Sequence, residues 1–131
     1  MVQDASPVGR IWAGRLLSAL VVLVLAADAA VALFAPHLLA ADMTATGFPP
    51  RLAAGLGVVI LLCAVIYAIP RTAVLGAILI TGFVGGALCT HYRLGEIGSP
   101  PQLVCLVIAL AAWGGLYLRD ARVRAMLPIV A

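Results

Sequence analysis

Four long apolar segments, each bounded by proline or arginine, constrain this chain more than any other feature. They run over residues 11–34, 52–69, 72–90 and 102–118. Because a helix rises about 1.5 Å per residue, each segment can cross a hydrocarbon core of about 30 Å with little tilt. The sequence therefore predicts an all-α integral membrane protein, with four transmembrane helices in a single domain over residues 1–131.

Composition supports this prediction and excludes other classes. Apolar residues make up 65% of the chain and charged residues 10%, whereas about 25% of a soluble domain is charged. An ordinary soluble enzyme is therefore excluded. The eight basic residues are all arginine, and they lie between apolar segments instead of clustering with aromatic residues, so no nucleic acid partner is predicted. The predicted partners are the lipid bilayer and other membrane protein subunits.

The distribution of arginine predicts the orientation. Four spans place both termini and the Pro70–Arg71 turn on one side of the membrane. That side carries six arginines, and the other side has only Arg51 and Arg93. Arginine in short loops favours the cytoplasmic side, so both termini are predicted to be cytoplasmic. Short loops between consecutive spans predict an antiparallel, up-down-up-down four-helix bundle.

Glycines in the last two segments are candidates for close helix packing. Small residues let helices approach closely in lipid, where no hydrophobic force draws them together. We expect them to pack within the bundle, and contact with another chain is the alternative. The glycines concerned are Gly82, Gly85, Gly86, Gly114 and Gly115.

A polar pocket is predicted near the outer side of the membrane. Asp28 lies inside the first segment, 18 residues after Arg10, and His91 lies 19 residues after Thr72. Helical rise puts both at a similar depth, roughly 27–28 Å from the inner interface. Arg51 and Arg93 begin or end at the same face, and their long side chains can reach toward this pocket.

Three interpretations of this pocket stay open. Asp28 and His91 could bind the head of a quinone-like lipophile or exchange protons with it. Alternatively, a bond from Asp28 to an arginine or histidine could simply neutralise a buried acid. Asp28 could also face another subunit. The helical neighbours of Asp28 are small, which favours a position in a crowded bundle interior.

No complete catalytic constellation is visible in the sequence, and whether the chain is an enzyme stays open. The sequence shows no metal-binding spacing, no nucleotide loop and no paired histidines for haem. Cys63, Cys89 and Cys105 lie in apolar segments, as small hydrophobic residues do. Cys89 and Cys105 are at similar depth on helices joined by one loop, and a disulfide between them is geometrically feasible.

Several strings resemble the DoxX-like family of small four-helix bacterial membrane proteins. They are YAIPRTAVLGAIL at 67–79, GFVGGA at 82–87, THYRLG at 90–95 and WGGLYLRD at 113–120, together with Asp28. The resemblance covers roughly residues 10–127 and implies a location in the bacterial inner membrane. A basic residue often follows the aspartate of the first helix by one turn in this family. Here that position is Ala32.

The resemblance implies a link to membrane redox chemistry. The family takes its name from a subunit associated with quinone-reducing thiosulfate oxidation, and related members belong to membrane oxidoreductase assemblies. The main hypothesis is a non-catalytic accessory or stabilising subunit of a larger redox or energy-transducing complex. The alternative is a quinone- or lipid-binding redox component that uses the outer pocket. No cofactor is evident beyond such a bound quinone or lipid.

The predicted orientation can be tested with one introduced cysteine. In an Ala45→Cys variant, a membrane-impermeant maleimide added to intact cells should label position 45, because this loop is predicted to face outward. Labelling that occurs only after the cytoplasmic side is opened would reverse the orientation.

Overall fold

The structure is a computed structural model that describes residues 7–127. Over this range it contains helices and no strand. Four helices are long and apolar enough to cross a membrane, which confirms the predicted fold. These are α1 (Pro7–Phe34), α3 (Ala53–Ala68, after a 3-10 turn at Pro50–Leu52), α4 (Ala73–Arg93) and α5 (Pro100–Arg119). Two short helices, α2 (Ala40–Ala45) and α6 (Ala121–Met126), were not predicted.

Prolines set most of the helix boundaries. A proline in the first turn of a helix costs little, because that turn has no intrahelical acceptor for the missing N–H. Accordingly α1 begins at Pro7 and α5 at Pro100. Ile69, which precedes Pro70, is extended and ends α3. Helix α4 continues to Arg93, beyond the predicted end at 90, because polar residues can extend a helix past its apolar core.

The four long helices form a closed ring in which each contacts two neighbours. Helix α1 packs against α3 and α5, and α4 packs against the same two helices. Each long helix packs against the next long helix in the chain and the connections between them are short, so consecutive spans lie antiparallel. We call the end with residues 35–52 and 94–99 the loop end. The opposite end, with residue 7, the 69–72 turn and α6, is called the terminal end.

Packing is much tighter toward the terminal end in two of the helices. The buried residues of α4 end at Val84, although the helix runs to Arg93. In α5 the buried residues are Ala112, Gly115 and Leu116 near its terminal end, and Gln102 alone near its loop end. Helix α1 has buried residues on one face from Gly14 to Ala32, and so in both halves of the bundle. The loop-end halves of α4 and α5 are consequently the loosely packed part of the bundle.

Glycines at the helix crossings explain the tight half. A Cβ added to Gly14 would lie 2.8 Å from the carbonyl oxygen of Gly115, and one added to Gly115 would lie 2.5 Å from Ser18 Oγ. These contacts bring α1 against α5. A Cβ on Gly76 would meet the backbone of Tyr67, which brings α4 against α3. Only glycine allows these approaches.

The glycines of α4 that were expected to pack within the bundle do not do so. A Cβ added to Gly82, Gly85 or Gly86 would meet nothing within 4 Å among residues 7–127. Gly114 is in ordinary contact only, with its added Cβ 3.6 Å from a methyl group of Leu17. The three α4 glycines instead leave a face of the helix open, so contact with another chain stays a prediction for them.

A buried tyrosine ties three helices together beside these crossings. Tyr67 of α3 is 0% exposed. Its hydroxyl donates to the carbonyl of Ala112 in α5 at 2.8 Å and shares a hydrogen bond of 3.0 Å with Ser18 of α1. Hydrogen bonds between helices in a membrane contribute about 0.6–2 kcal/mol each. The tie fixes the relative positions of α1, α3 and α5.

Gly115 and Gly114 provide a matched test of the α1–α5 crossing. Both substitutions to alanine improve helix propensity equally, by about 1 kcal/mol. Gly115→Ala should nevertheless lower the thermal stability of the protein in detergent relative to Gly114→Ala, because the new methyl group overpacks the crossing at a cost of about 1–3 kcal/mol. Equal melting temperatures for the two variants would contradict the observed crossing.

Candidate functional site

A cavity of about 410 Å³ lies in the loosely packed half of the bundle, at the loop end. Residues from α1, α2, α3, α4 and the 94–101 region line it. Asp28 and His91, the two central residues of the predicted pocket, both line this cavity. The apolar wall includes Met43, Leu56, Ile60 and Phe83.

Asp28 reaches the cavity from the edge of the buried face of α1. Its neighbours Leu25, Ala29 and Ala32 are buried, whereas Asp28 itself is exposed. The side chain of Asp28 therefore lies at an open cavity of the bundle and not among closely packed side chains. Its carboxylate makes no hydrogen bond or ion pair with the side chains of residues 7–127. No structural neutralisation of Asp28 is seen within this part of the chain.

His91 is held by an acid that follows it in the chain. Its Nδ1 lies 2.6 Å from Glu96 Oε2. The backbone turns back after α4 through Gly95 and Gly98, which have φ values of 77° and 74° that favour glycine. This turn also lets the N–H of Glu96 donate to the carbonyl of His91 at 3.1 Å. The loop therefore returns Glu96 to the last turn of the helix.

The bond to Glu96 determines which nitrogen of the His91 ring acts as the donor. An ionised carboxylate can only accept a hydrogen bond, so the Nδ1 of His91 carries the proton that is shared with Glu96. In a neutral ring the other nitrogen, Nε2, is then an acceptor. The imidazole side chain is 17% exposed and the Glu96 side chain 45%. A pair this exposed contributes about 0–1 kcal/mol to stability, and its main effect is on the orientation of the ring.

The two arginines of the predicted pocket lie outside the cavity. Arg93 Nη2 donates to the carbonyl of Thr46 at 3.0 Å, so it fastens the end of α4 to the loop after α2. Arg51 is exposed in the 3-10 turn that precedes α3. Neither side chain lines the space between Asp28 and His91. No arginine reaches the cavity.

Two further acids complete the lining, and sequence reasoning missed them. Asp42 of α2 and Glu96 both line the cavity with Asp28. Both lie outside the four apolar segments of the sequence, and the signal for Glu96 is its position between Gly95 and Gly98, shortly after His91. Among residues 7–127, three carboxylates and one imidazole therefore line this cavity, which we call the acidic cavity. Within residues 7–127, His, Cys, Asp and Glu side chains form no group of three that could hold a metal ion.

An apolar cavity of about 400 Å³ adjoins the acidic one. The two share Met43, Thr46, Leu56, Phe83 and His91. Gly82 and Gly86 line the apolar cavity as well, since their missing side chains leave the space open. We call this second space the glycine cavity.

The three cysteines are free thiols. Cys63 is buried, Cys89 is exposed and Cys105 is half-buried. The feasible disulfide between Cys89 and Cys105 is not formed in this structure.

The model of the DoxX-like family matches residues 16–115. The chain belongs to the DoxX-like family. The match includes α3, α4, most of α1 and α5, and every residue that lines the acidic cavity. Neither curated proteins nor solved structures give a match to the chain.

The arrangement favours ligands that donate hydrogen bonds. Carboxylates and the Nε2 of a neutral imidazole all accept, and no arginine lines the cavity to bind an anion or a carbonyl group. A volume near 410 Å³ lies within the range of about 300–1,000 Å³ found for small-molecule sites. The acidic cavity can thus bind a compact ring that bears hydroxyl groups, or exchange protons with it.

Proposed function

We propose that this multi-pass DoxX-like protein is a component of a membrane redox assembly and binds the ring of a quinol in its acidic cavity. The observation that carries the proposal is that Asp28 and His91, from two helices that are not neighbours in the ring, line the same cavity. The proposed site lies in the outer leaflet of the bacterial inner membrane, with both termini cytoplasmic. The asymmetry of six arginines against two supports that orientation.

The chemistry of the lining supports a quinol more than a quinone. A quinol presents two hydroxyl donors, and the cavity offers the Asp28 carboxylate and the His91 imidazole as acceptors. A quinone presents two carbonyl acceptors, and Thr46, the hydroxyl donor in the described lining, already donates to the backbone carbonyls of Asp42 and Met43. Met43, Leu56 and Phe83 supply the apolar surface that a ring requires.

The glycine cavity supplies a place for the lipophilic tail. It shares a wall with the acidic cavity and is lined mostly by apolar side chains. A tail that lies along Gly82 and Gly86 would leave the bundle toward lipid. In this proposal the protein binds the ring and accepts its two protons, while a redox cofactor held by a partner chain of the assembly accepts the two electrons and leaves the quinone.

The quinol proposal is tested by binding of decylubiquinol to the purified protein in lipid nanodiscs. A hydrogen bond to a charged group contributes about 1.5–3 kcal/mol, so Asp28→Asn should weaken binding by about tenfold or more. His91→Gln should weaken it to a similar extent. Arg51→Gln is the control and should bind as the parent protein does, because Arg51 lies outside the cavity.

The oxidised form of the same probe adds a second comparison. Decylubiquinone should bind less tightly than decylubiquinol, because its two carbonyl groups cannot donate hydrogen bonds to the carboxylates and the imidazole of the lining. Tighter binding of the quinone, or equal binding by all four proteins, would overturn the proposal.

A non-catalytic accessory subunit is the second candidate, and the open face of α4 favours it. A Cβ added to Gly82, Gly85 or Gly86 would have no atom of another helix or loop of residues 7–127 within 4 Å. Apolar side chains such as Leu75 and Ile78 are exposed on the same helix. A helix of another subunit could approach the backbone closely here, and this chain would then stabilise the assembly without taking part in its chemistry.

Substitution of the α4 glycines tests the accessory role. Gly82→Leu and Gly86→Leu should reduce the amount of partner protein that co-purifies in mild detergent, since each leucine fills the open face. The melting temperature of the isolated chain should stay within a few degrees of the parent, and Ile78→Leu should change neither property. Unchanged co-purification in both glycine variants would argue that this face meets only lipid.

A further inference from the structure

Two adjoining cavities lie at the terminal end, far from the acidic cavity. The upper one, of about 400 Å³, lies against α1 and α3 and has an apolar wall that includes Ala19, Val22 and Leu23. The lower one, of about 310 Å³, contains Arg122 and Asp120. Arg15 and Arg119 line both cavities. The two spaces therefore form one groove, with an apolar part along α1 that we call the upper cavity and a cationic part at Arg122 that we call the lower cavity.

Arg119 has buried hydrogen-bond donors that lack an acceptor. Its Nε and Nη2 atoms are both buried and have no hydrogen-bond partner among residues 7–127. The guanidinium carbon lies 5.7 Å from the centroid of the Tyr67 ring, so the aromatic face offsets part of the charge. The N–H groups of Arg119 point outward in the plane of the guanidinium group, so the aromatic face does not accept their hydrogen bonds. Buried donors on a charged group are costly when they lack acceptors.

The charges around Arg119 do not supply those acceptors. The described lining of the lower cavity has three arginines, namely Arg15, Arg119 and Arg122, and one acid. That acid, Asp120, accepts a hydrogen bond from the N–H of Arg122 at 2.9 Å and so caps α6. Its carboxylate forms no ion pair with Arg119 within 4 Å. The lower cavity consequently carries an excess of two positive charges.

We infer that this groove binds an anionic phospholipid, with the phosphate against Arg119, Arg15 and Arg122 and one acyl chain along α1. A guanidinium group presents donors in a fork that matches phosphate oxygens. Basic pockets between membrane helices bind anionic headgroups in this way. The inference does not depend on the proposed quinol site.

The shape of the groove assigns the phosphate to a lipid instead of a free ion. Leu23 lies eight residues after Arg15 on α1, which is about 12 Å toward the middle of the membrane. The apolar wall thus runs from the charged end in the direction that an acyl chain takes. Trp12, which is 56% exposed and lies under Arg15 with 5.5 Å between guanidinium carbon and ring centroid, marks the interfacial level.

The probe for this site is phosphatidylglycerol, added to the purified full-length chain in detergent and followed by native mass spectrometry. Phosphatidylcholine and inorganic phosphate serve as the other two arms. Phosphatidylglycerol should remain bound at a collision energy that removes phosphatidylcholine. Each arginine near a membrane surface contributes about 1 kcal/mol toward an anionic lipid, so Arg15→Gln and Arg122→Gln should each weaken binding about fivefold. Arg119→Gln should weaken it about tenfold or more.

Two controls separate specific binding from general charge and from unfolding. Arg10→Gln and Arg71→Gln remove exposed arginines from the same end that line neither cavity, and both should leave binding unchanged. Ala19→Trp fills the apolar part of the groove and should displace the lipid without loss of charge. Arg15 and Arg122 are exposed, so their variants test the site even if Arg119→Gln fails to fold.

Three results would overturn the inference. Equal retention of phosphatidylglycerol and phosphatidylcholine would show that the phosphate region has no preference for anionic lipid. Binding of inorganic phosphate with no effect of Ala19→Trp would assign the site to a free anion. Equal losses in Arg10→Gln and Arg15→Gln would reduce the effect to the general charge of this end.

Discussion

The close crossing of α1 with α5, made possible by Gly14 and Gly115, determines where this bundle is tight and where it is open. With α1 and α5 in backbone contact, Ser18 comes within hydrogen-bond distance of Tyr67, and the tyrosine hydroxyl reaches the backbone of α5. In lipid, interactions of this kind replace the hydrophobic force that assembles a soluble bundle. The buried parts of α4 and α5 lie in the same half, and the opposite half is left with cavities.

The cavities at the two ends differ in the charge of the side chains that line them. The open half collects Asp28, Asp42 and Glu96 around one cavity, and the tight half carries arginines around another. Charged groups within a membrane protein usually face an interior or a water-filled space and have partners. Asp28 and Arg119 both lack an ionic partner among the described residues. They line cavities at opposite ends of the bundle, so they do not neutralise each other.

The sequence predicts the fold well because the controlling features are local. Apolar length reports directly on the spans, and proline position reports on the helix boundaries. It predicts the two central residues of the acidic cavity for a related reason, since depth follows from residue number along a helix. The location of Arg93 was harder to predict. A side chain at the end of a helix can turn to the cavity or to a loop carbonyl, and only the folded loop decides between Thr46 and Asp28.

Close packing within the bundle was expected for five glycines; Gly115 packs in this way, and Gly82, Gly85 and Gly86 do not. A glycine run such as Gly82–Gly86 indicates that the backbone of another helix can approach this helix closely. It does not indicate which side of the helix faces a neighbour. Rotation of α4 is set by Gly76 against Tyr67 and by the buried residues Ala77, Ile80 and Val84. Once those residues face inward, Gly82, Gly85 and Gly86 lie on the open face.

The two candidate functions compete for that open face. The glycine cavity shares Phe83 and His91 with the acidic cavity, so a helix of another subunit seated on Gly82 and Gly86 would cover the route by which a quinol tail leaves toward lipid. A quinol that occupies both cavities would equally place its tail where such a helix must dock. Binding of the ligand and docking of a partner at these glycines are therefore expected to exclude each other unless the partner contacts the tail itself, in which case the quinol would form part of the interface.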